Sequence, residues 1–294
     1  MQQNFIMRPM RFRAIKLIFL VMVLLLSACS MIRFAYSNGE TLSYWWINGY
    51  IEVESDQKPW VKARIKHLFE WHRNTQLGDY VQLLKLGQRQ LQQPMDKPTM
   101  LGDIAELKKR SAILIDHALP DLADLALELR PQQIAALEKS YAAHNRDFRK
   151  NYLQGDLAQR QQYRFRKVMD QAEYWLGDFN DEQESMLRKA FDLVPIDHDR
   201  IYAQRLRRQH DVLIVLKKIA QERPRREVAM ALLREPALAM LEPPTGESAA
   251  YFTAYYDGMA NLAVTVINSA TPVQRAHASL KLQEFINDFS RLSR

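Results

Sequence analysis

Phe179-Asn-Asp-Glu-Gln183-Glu-Ser-Met-Leu187 is a stretch in which a glutamine lies four residues from an apolar side chain on each side. The same spacing surrounds three further glutamines, Gln57, Gln133 and Gln274. In a capping box, a polar residue accepts from an early helix N–H, and a Gln three residues later reaches back to the N–H of that polar residue. Each copy therefore predicts the start of a helix, with the glutamines in a structural role.

The quality of the predicted cap differs among the four copies. Asn180 and Thr271 can each accept a backbone hydrogen bond as the first residue of a box. Arg130, which precedes Pro131, cannot, so this copy is expected to keep only the proline and the contact between its apolar residues. The copies are unevenly spaced, which argues against a tandem solenoid.

Apolar side chains recur at helical spacing along most of the rest of the chain, as at Val61, Ile65 and Leu68. No segment has the strict alternation of a strand. The sequence therefore predicts an all-α fold, a multi-helix bundle of about nine to eleven helices with no sheet. We expect Thr99 to cap one helix, Pro120 to interrupt it, and the segment from Pro236 to Gly246 to be a loop. Gly177 is expected to end another helix as its C-cap.

The N-terminus has the pattern of an export signal. Four basic residues and no acidic one precede Leu26-Ser27-Ala28-Cys29, and the apolar run before it is too short to span a bilayer comfortably. The tetrapeptide resembles the bacterial lipobox, in which the thiol is diacylated and the chain is cut before it. An ordinary secretory signal with a chance cysteine is the alternative. Because Ser30 is not the Asp that retains lipoproteins at the inner membrane, we expect the periplasmic face of the outer membrane.

These features divide the chain into three parts. Residues 1–28 are predicted as the signal peptide, 29–52 as an aromatic-rich tether and 53–294 as the helical domain, either one body or two sub-bundles meeting near 177–196. The tether contains Tyr44-Trp45-Trp46, with turn dipeptides at Asn38-Gly39 and Asn48-Gly49. Its aromatic residues either pack on the helical body or form a belt at the membrane interface.

Charge and cysteine content exclude several classes of function. The chain has 41 basic and 34 acidic residues, and removal of the four leader cations leaves 37 (41 − 4) and a net charge of +3. This excess is too small to indicate nucleic-acid binding. An acylated Cys29 leaves no thiol for a disulfide, a zinc site or a nucleophile. No glycine-rich phosphate loop or serine triad context occurs, so we expect no cofactor and no catalytic residue, and the sequence identifies no small-molecule substrate.

Two histidine clusters are weak candidates for a metal site. His67 and Glu70 share a helix face, but His72 lies about 140° round the helix from His67. Asp197-His198-Asp199 has divergent side chains, and acidic residues are in any case favoured at a helix start. We expect no metal at either place, with His72 hydrogen-bonded and partly buried and Arg73 paired with a carboxylate. A metal-dependent envelope hydrolase would require His67, His72, His198 or His210 to converge.

Two surfaces could have a binding role. Trp71-His72-Arg73 places an aromatic ring, an imidazole and a cation side by side. The densest basic stretch is either a helix face paired with acidic neighbours or a contact with anionic lipid; it comprises Arg205, Arg207, Arg208, Lys217, Lys218, Arg223, Arg225 and Arg226.

Several motifs occur in the order of a known family: the lipobox, Tyr44-Trp45-Trp46, Gln57, Trp71-His72-Arg73, Tyr80, and Trp175-Leu176-Gly177 before Gln183. From Cys29 to about Ile219 the chain resembles an uncharacterised family of Gram-negative lipoproteins of unknown function. The glutamine pattern is also similar to the Leu-Thr-x-x-Gln repeat of small periplasmic stress proteins, some of which are chaperones. The resemblance implies a membrane-anchored helical lipoprotein, and our first hypothesis is a non-enzymatic protein that binds an envelope protein partner.

Overall fold

The computed structural model describes residues 36–293, and within that range eleven α-helices and no strand are present. The predicted all-α class and helix number are therefore confirmed for this part of the chain. A short 3₁₀ turn (Gly246–Ser248) precedes the tenth helix. The helices are α1 (Gly39–Ile51), α2 (Lys58–Thr75), α3 (Leu77–Gln90), α4 (Lys97–Glu128), α5 (Pro131–Tyr152), α6 (Leu157–Leu176), α7 (Asp181–Asp192), α8 (His198–Glu222), α9 (Arg226–Ala239), α10 (Ala249–Ser269) and α11 (Pro272–Leu292).

Polar side chains fix most of the helix starts. Asn180 and Thr271 accept from the N–H groups of the glutamines three residues later, at 2.9 and 3.2 Å. At α4 the prediction was wrong by three residues, because Asp96 is the cap and accepts from the Thr99 N–H at 2.8 Å. Gly177, predicted to end α6, has a positive φ of 81°, which favours glycine.

Three segments expected to break helices lie inside them. Pro120 is within α4 and Pro236 is within α9. A proline inside a helix costs about 3 kcal/mol, and the burial of Leu119 and Ala123 on both sides of Pro120 offsets that cost. Asn48-Gly49 lies in α1 rather than in a turn, because α1 packs on α2 and α5 and this packing outweighs the local turn preference.

The buried apolar residues form a large cluster at each of two places. One lies where the end of α4 meets α5 and α8, and includes Ala123, Leu137 and Ile219. The other joins α6, α7 and α10. Helix α4, about 48 Å long, reaches from the first cluster to α10, where Lys97 pairs with Asp257. Whether these are one body or two sub-bundles stays a prediction.

Candidate functional site

The four predicted glutamines meet in two pairs. Gln133 Nε2 donates to Gln57 Oε1 at 2.8 Å, and Gln57 Nε2 donates back to Gln133 Oε1 at 3.2 Å. In the second pair, Gln183 Nε2 donates to Gln274 Oε1 at 2.8 Å, and the return bond measures 3.4 Å. The glutamine spacing in the sequence thus corresponds to two copies of one arrangement in three dimensions.

Each glutamine also bonds to two stretches of backbone. Its Oε1 accepts from the N–H three residues earlier, at 2.9 to 3.3 Å in the four copies. This includes Arg130, so the copy that was expected to lack the reach-back bond has it. The Nε2 of each glutamine donates to a backbone carbonyl just before the helix of the partner glutamine. For Gln57, Gln133, Gln183 and Gln274 these carbonyls belong to Glu128, Glu52, Ser269 and Asp178, respectively. Each pair therefore fixes two distant helix starts against each other.

The Trp71-His72-Arg73 side chains of α2 are partly buried and contact other aromatic groups. The Trp71 ring stacks on His117 at 3.7 Å, and His72 Nδ1 shares a hydrogen bond of 3.0 Å with the Tyr36 hydroxyl. Burial lowers the pKa of His72. Arg73 was expected to pair with a carboxylate, but it forms no salt bridge within residues 36–293. The Arg73 guanidinium lies over the Tyr36 ring instead, 5.8 Å from the ring centroid. A binding role for this surface stays a prediction.

The aromatic residues of the predicted tether divide into two groups. Tyr44 packs against Val61 and Ile65, and Tyr50 stacks on His144 at 5.1 Å. In contrast, Trp45 and Trp46 are 64% and 66% exposed. Packing on the body therefore accounts for the tyrosines and leaves both indole rings at the surface.

The histidines named for a hydrolase do not converge. His67 and His210 are exposed on α2 and α8, while His198 is buried at the start of α8. Asp197 accepts from the N–H groups of Asp199 and Arg200, both at 3.0 Å, which is the helix-start role of that cluster. No group of three or more His, Cys, Asp or Glu side chains that could hold a metal is found among the residues the structure describes. The described residues therefore provide no metal centre of the kind that the hydrolase alternative requires.

Several members of the basic stretch, which runs from α8 to the start of α9, have partners in the protein. Lys217 pairs with Glu138 at 2.5 Å, Arg226 with Asp124 at 2.7 Å, and Arg208 donates to the carbonyls of Ala239 and Glu242. These bonds support the description of the stretch as a helix face paired with its neighbours. They leave fewer free cations for anionic lipid than the sequence suggested.

The structure contains an apolar cavity of about 610 Å³ that the sequence did not predict. Side chains from seven helices line this cavity: the five consecutive helices α3 through α7, and the last two helices, α10 and α11. Residues of the loops after α3 and α7 complete the wall. Most of the wall is aliphatic or aromatic, with three methionines, Met95, Met100 and Met259. Small residues, among them Gly87 and Ala263, leave the space open.

The loop after α3 is held firmly at the cavity wall. The Asn268 side chain binds both the N–H and the carbonyl of Met95, each at 2.8 Å. Arg275 Nη1 donates to the Leu91 carbonyl at 2.6 Å. Two side chains of the last two helices thereby fix this loop, so the wall around Met95 is preformed.

One side of the cavity is basic. Arg164 and Lys167 of α6 contribute to the wall, and the Arg164 guanidinium lies 6.0 Å from the ring of Tyr152, a third lining residue. Lys167 pairs with Asp170 at 3.0 Å, whereas Arg164 Nη1 is buried without a hydrogen-bond partner among residues 36–293. The cavity therefore combines a long apolar wall with an unpaired cation.

The predicted signal peptide and Cys29 lie outside the described residues. Within residues 36–293, none of the helices combines the length and hydrophobicity that crossing a membrane requires.

More than half of the chain matches a family model. The model described as "Family of unknown function (DUF6279)" covers residues 49–238. A search of curated proteins and a search of solved structures both returned nothing that matches. The predicted resemblance to an uncharacterised family is confirmed at that level.

Proposed function

Since the chain belongs to this family of unknown function, we propose a function from its structure: an envelope lipoprotein, anchored through Cys29, that binds a small molecule with a large apolar part without transforming it. The cavity between α3, α6, α10 and α11 carries this proposal. Its volume of about 610 Å³ lies within the roughly 300–1,000 Å³ that is typical of small-molecule sites.

The chemistry of the wall favours binding over catalysis. Among the described residues, those that line the cavity include no cysteine, serine or histidine. Methionine side chains adapt their shape to different apolar partners, and three of them face this space. A cavity of this size fits one small molecule, so the proposal concerns a ligand. A protein partner stays a separate prediction.

The export pattern supports the location. Several acyl chains, each methylene contributing about 0.8 kcal/mol, would hold the protein at a membrane. We expect the protein to fractionate with outer membranes and mass spectrometry to find an acylated N-terminal Cys29. The Cys29→Ser chain should lose both properties. A mature chain that starts elsewhere, or an unmodified thiol, would contradict the anchor without affecting the cavity.

Ligand binding is tested with an uncharged fluorescent probe, N-phenylnaphthylamine. The full chain with Cys29→Ser is used, because the protein's own acyl chains could otherwise occupy the cavity. Probe fluorescence should rise saturably on binding. Gly87→Phe should abolish this rise, because Gly87 lines the cavity and no atom lies within 4 Å of the position a Cβ would take.

Gly102→Phe is the matched control. Gly102 is also a glycine inside a helix with nothing near a Cβ, but it is exposed and does not line the cavity. Both substitutions replace the poorest non-proline helix former, so both variants should fold. Absence of saturable binding in the parent chain, or equal loss in both variants, would overturn the proposed function.

A further inference from the structure

We propose that the ligand is an amphiphile with a single acyl chain and an anionic head group, and that Arg164 binds the head group. This inference rests on the proposed binding function and specifies its ligand class. It is carried by a cation that lies at the wall of an apolar cavity and lacks a partner within the protein.

Arg164 is poorly satisfied by the residues around it. Its Nη1 atom is buried and makes no hydrogen bond within residues 36–293, and no carboxylate there lies within salt-bridge distance. A buried N–H group is costly unless it is hydrogen-bonded. A planar guanidinium forms two parallel bonds to a carboxylate or a phosphate. An anion in the cavity would therefore satisfy a group that the protein leaves open.

The surroundings of Arg164 are positive as well. His198 is 6% exposed and its Nε2 has no partner among the described residues. Burial and the charges of Arg164 and Arg160 lower the pKa of His198 to about 4. The carboxylates of Asp199 and Asp197 act in the opposite direction, but their effect on this pKa is smaller. Two cations, Arg164 and Arg160, thus act on the imidazole at this end of the cavity.

The opposite charge in the cavity is accounted for locally. Asp103 also lines the wall, and its Oδ1 accepts from Gln90 Nε2 at 3.2 Å. Lys167, the second cation of the wall, is paired with Asp170. Of the two cations in the wall, Arg164 is therefore the one for which the described residues provide no salt bridge.

The remainder of the wall suits an unbranched chain. Met95, Met100 and Met259 provide flexible thioether surface. Trp175 and Leu282 add broad apolar contacts. An acyl chain gains from burial of each methylene in such surroundings, while the head group stays at the basic side.

The experiment compares palmitate with hexadecanol, which share the chain and differ in head-group charge. Both should displace N-phenylnaphthylamine from the Cys29→Ser chain, and palmitate should bind about tenfold or more tightly. Lysophosphatidate, with a phosphate head, distinguishes the two anion chemistries, and a preference for either anion supports the inference. Arg164→Gln should bring palmitate to the affinity of hexadecanol, with both affinities expressed relative to that of the uncharged probe for the same variant.

Arg166→Gln is the matched control, since it removes the same charge from the same helix about 200° away. It should keep the preference for palmitate. Arg164→Lys, which retains the charge, should keep part of that preference and shows whether a loss in Arg164→Gln comes from misfolding. If the probe binds but palmitate and hexadecanol bind equally, the inference fails while the binding function stands. If nothing binds, the binding function itself fails.

Discussion

Gln183 and Gln274, 91 residues apart, donate their side-chain amides to each other at the third positions of α7 and α11. Both are buried, and each also bonds to the backbone at the start of both helices. The pair therefore couples local helix capping to the packing of two helices that are distant in the chain. Gln57 and Gln133 do the same for α2 and α5.

Loss of one amide of the buried pair should destabilise the fold. Gln274→Ala removes the partner of Gln183 and leaves the Thr271 N–H and the Asp178 carbonyl without their present partner. Leaving a buried polar group unsatisfied costs about 1–3 kcal/mol. We therefore expect the free energy of unfolding, measured with urea, to fall by an amount in this range. In a double-mutant cycle with Gln183→Ala, the coupling should lie between about 0.5 and 3 kcal/mol.

Gln159 is the control for capping alone. It occupies the same position in α6 and accepts from the Asp156 N–H at 3.3 Å, but it is exposed and has no partner glutamine. Gln159→Ala should cost less than about 1 kcal/mol. An equal cost for Gln159→Ala and Gln274→Ala would show that the pairing contributes nothing.

The pKa of His198, about 4 in the folded chain, makes stability depend on pH. An unfolded histidine has a pKa near 6.5, so the unfolded chain binds this proton over a range in which the folded chain does not. The contribution of neutral His198 is present above about pH 6.5 and is lost as the pH falls toward 4. The contribution of His198 to the slope of the unfolding free energy against pH should reach at most about 1.4 kcal/mol per pH unit.

His198→Leu should flatten this part of the profile. The measurement is urea unfolding of parent and variant at several pH values between 4 and 7, since the difference between the two curves isolates His198 from the carboxylates. His210→Gln, at an exposed position, should retain the parent slope. Parallel curves for His198→Leu and the parent would mean that His198 titrates alike in both states.

Leu187 of α7 should be among the most sensitive apolar positions. It is fully buried in the cluster with Phe165 and Phe191, and Leu→Ala substitutions at such sites cost about 2–5 kcal/mol. Leu193, one residue past the end of α7, is 84% exposed. Leu193→Ala should lower the free energy of unfolding by less than about 0.5 kcal/mol. Thermal or urea unfolding of both variants checks the contrast.

Several helix starts, and the end of α6, could be predicted because their signals are local. Asn180, Thr271 and Gly177 act within a few residues of their own positions. Pro120 and Gly49 misled the prediction for the opposite reason, since distant packing holds their helices together. The partners of the glutamines could not be predicted either, because separations of 76 and 91 residues have no signature in one sequence.

The cavity was beyond the reach of sequence patterns. Its wall comes from seven helices, and its small residues, such as Gly87 and Ala263, look like any others in a helical chain. Arg164 is one of many arginines and lies outside the dense basic stretch. Only the position of α6 against α10 and α11 makes this cation face an apolar space.

Trp45 and Trp46 allow the interfacial-belt alternative to be tested. They are the most exposed tryptophans described and follow the proposed acylated Cys29 by fewer than twenty residues. Trp side chains favour the headgroup region, so anchoring should place these two rings against lipid. In proteoliposomes of the acylated protein, brominated lipid should quench part of the tryptophan fluorescence, and Trp45→Phe with Trp46→Phe should remove that part.

Tyr44, 8% exposed, is the folding control, because Tyr44→Ala should destabilise by about 3 kcal/mol or more while the double Phe variant keeps parental stability. Quenching that persists in the double variant would place other tryptophans at the membrane.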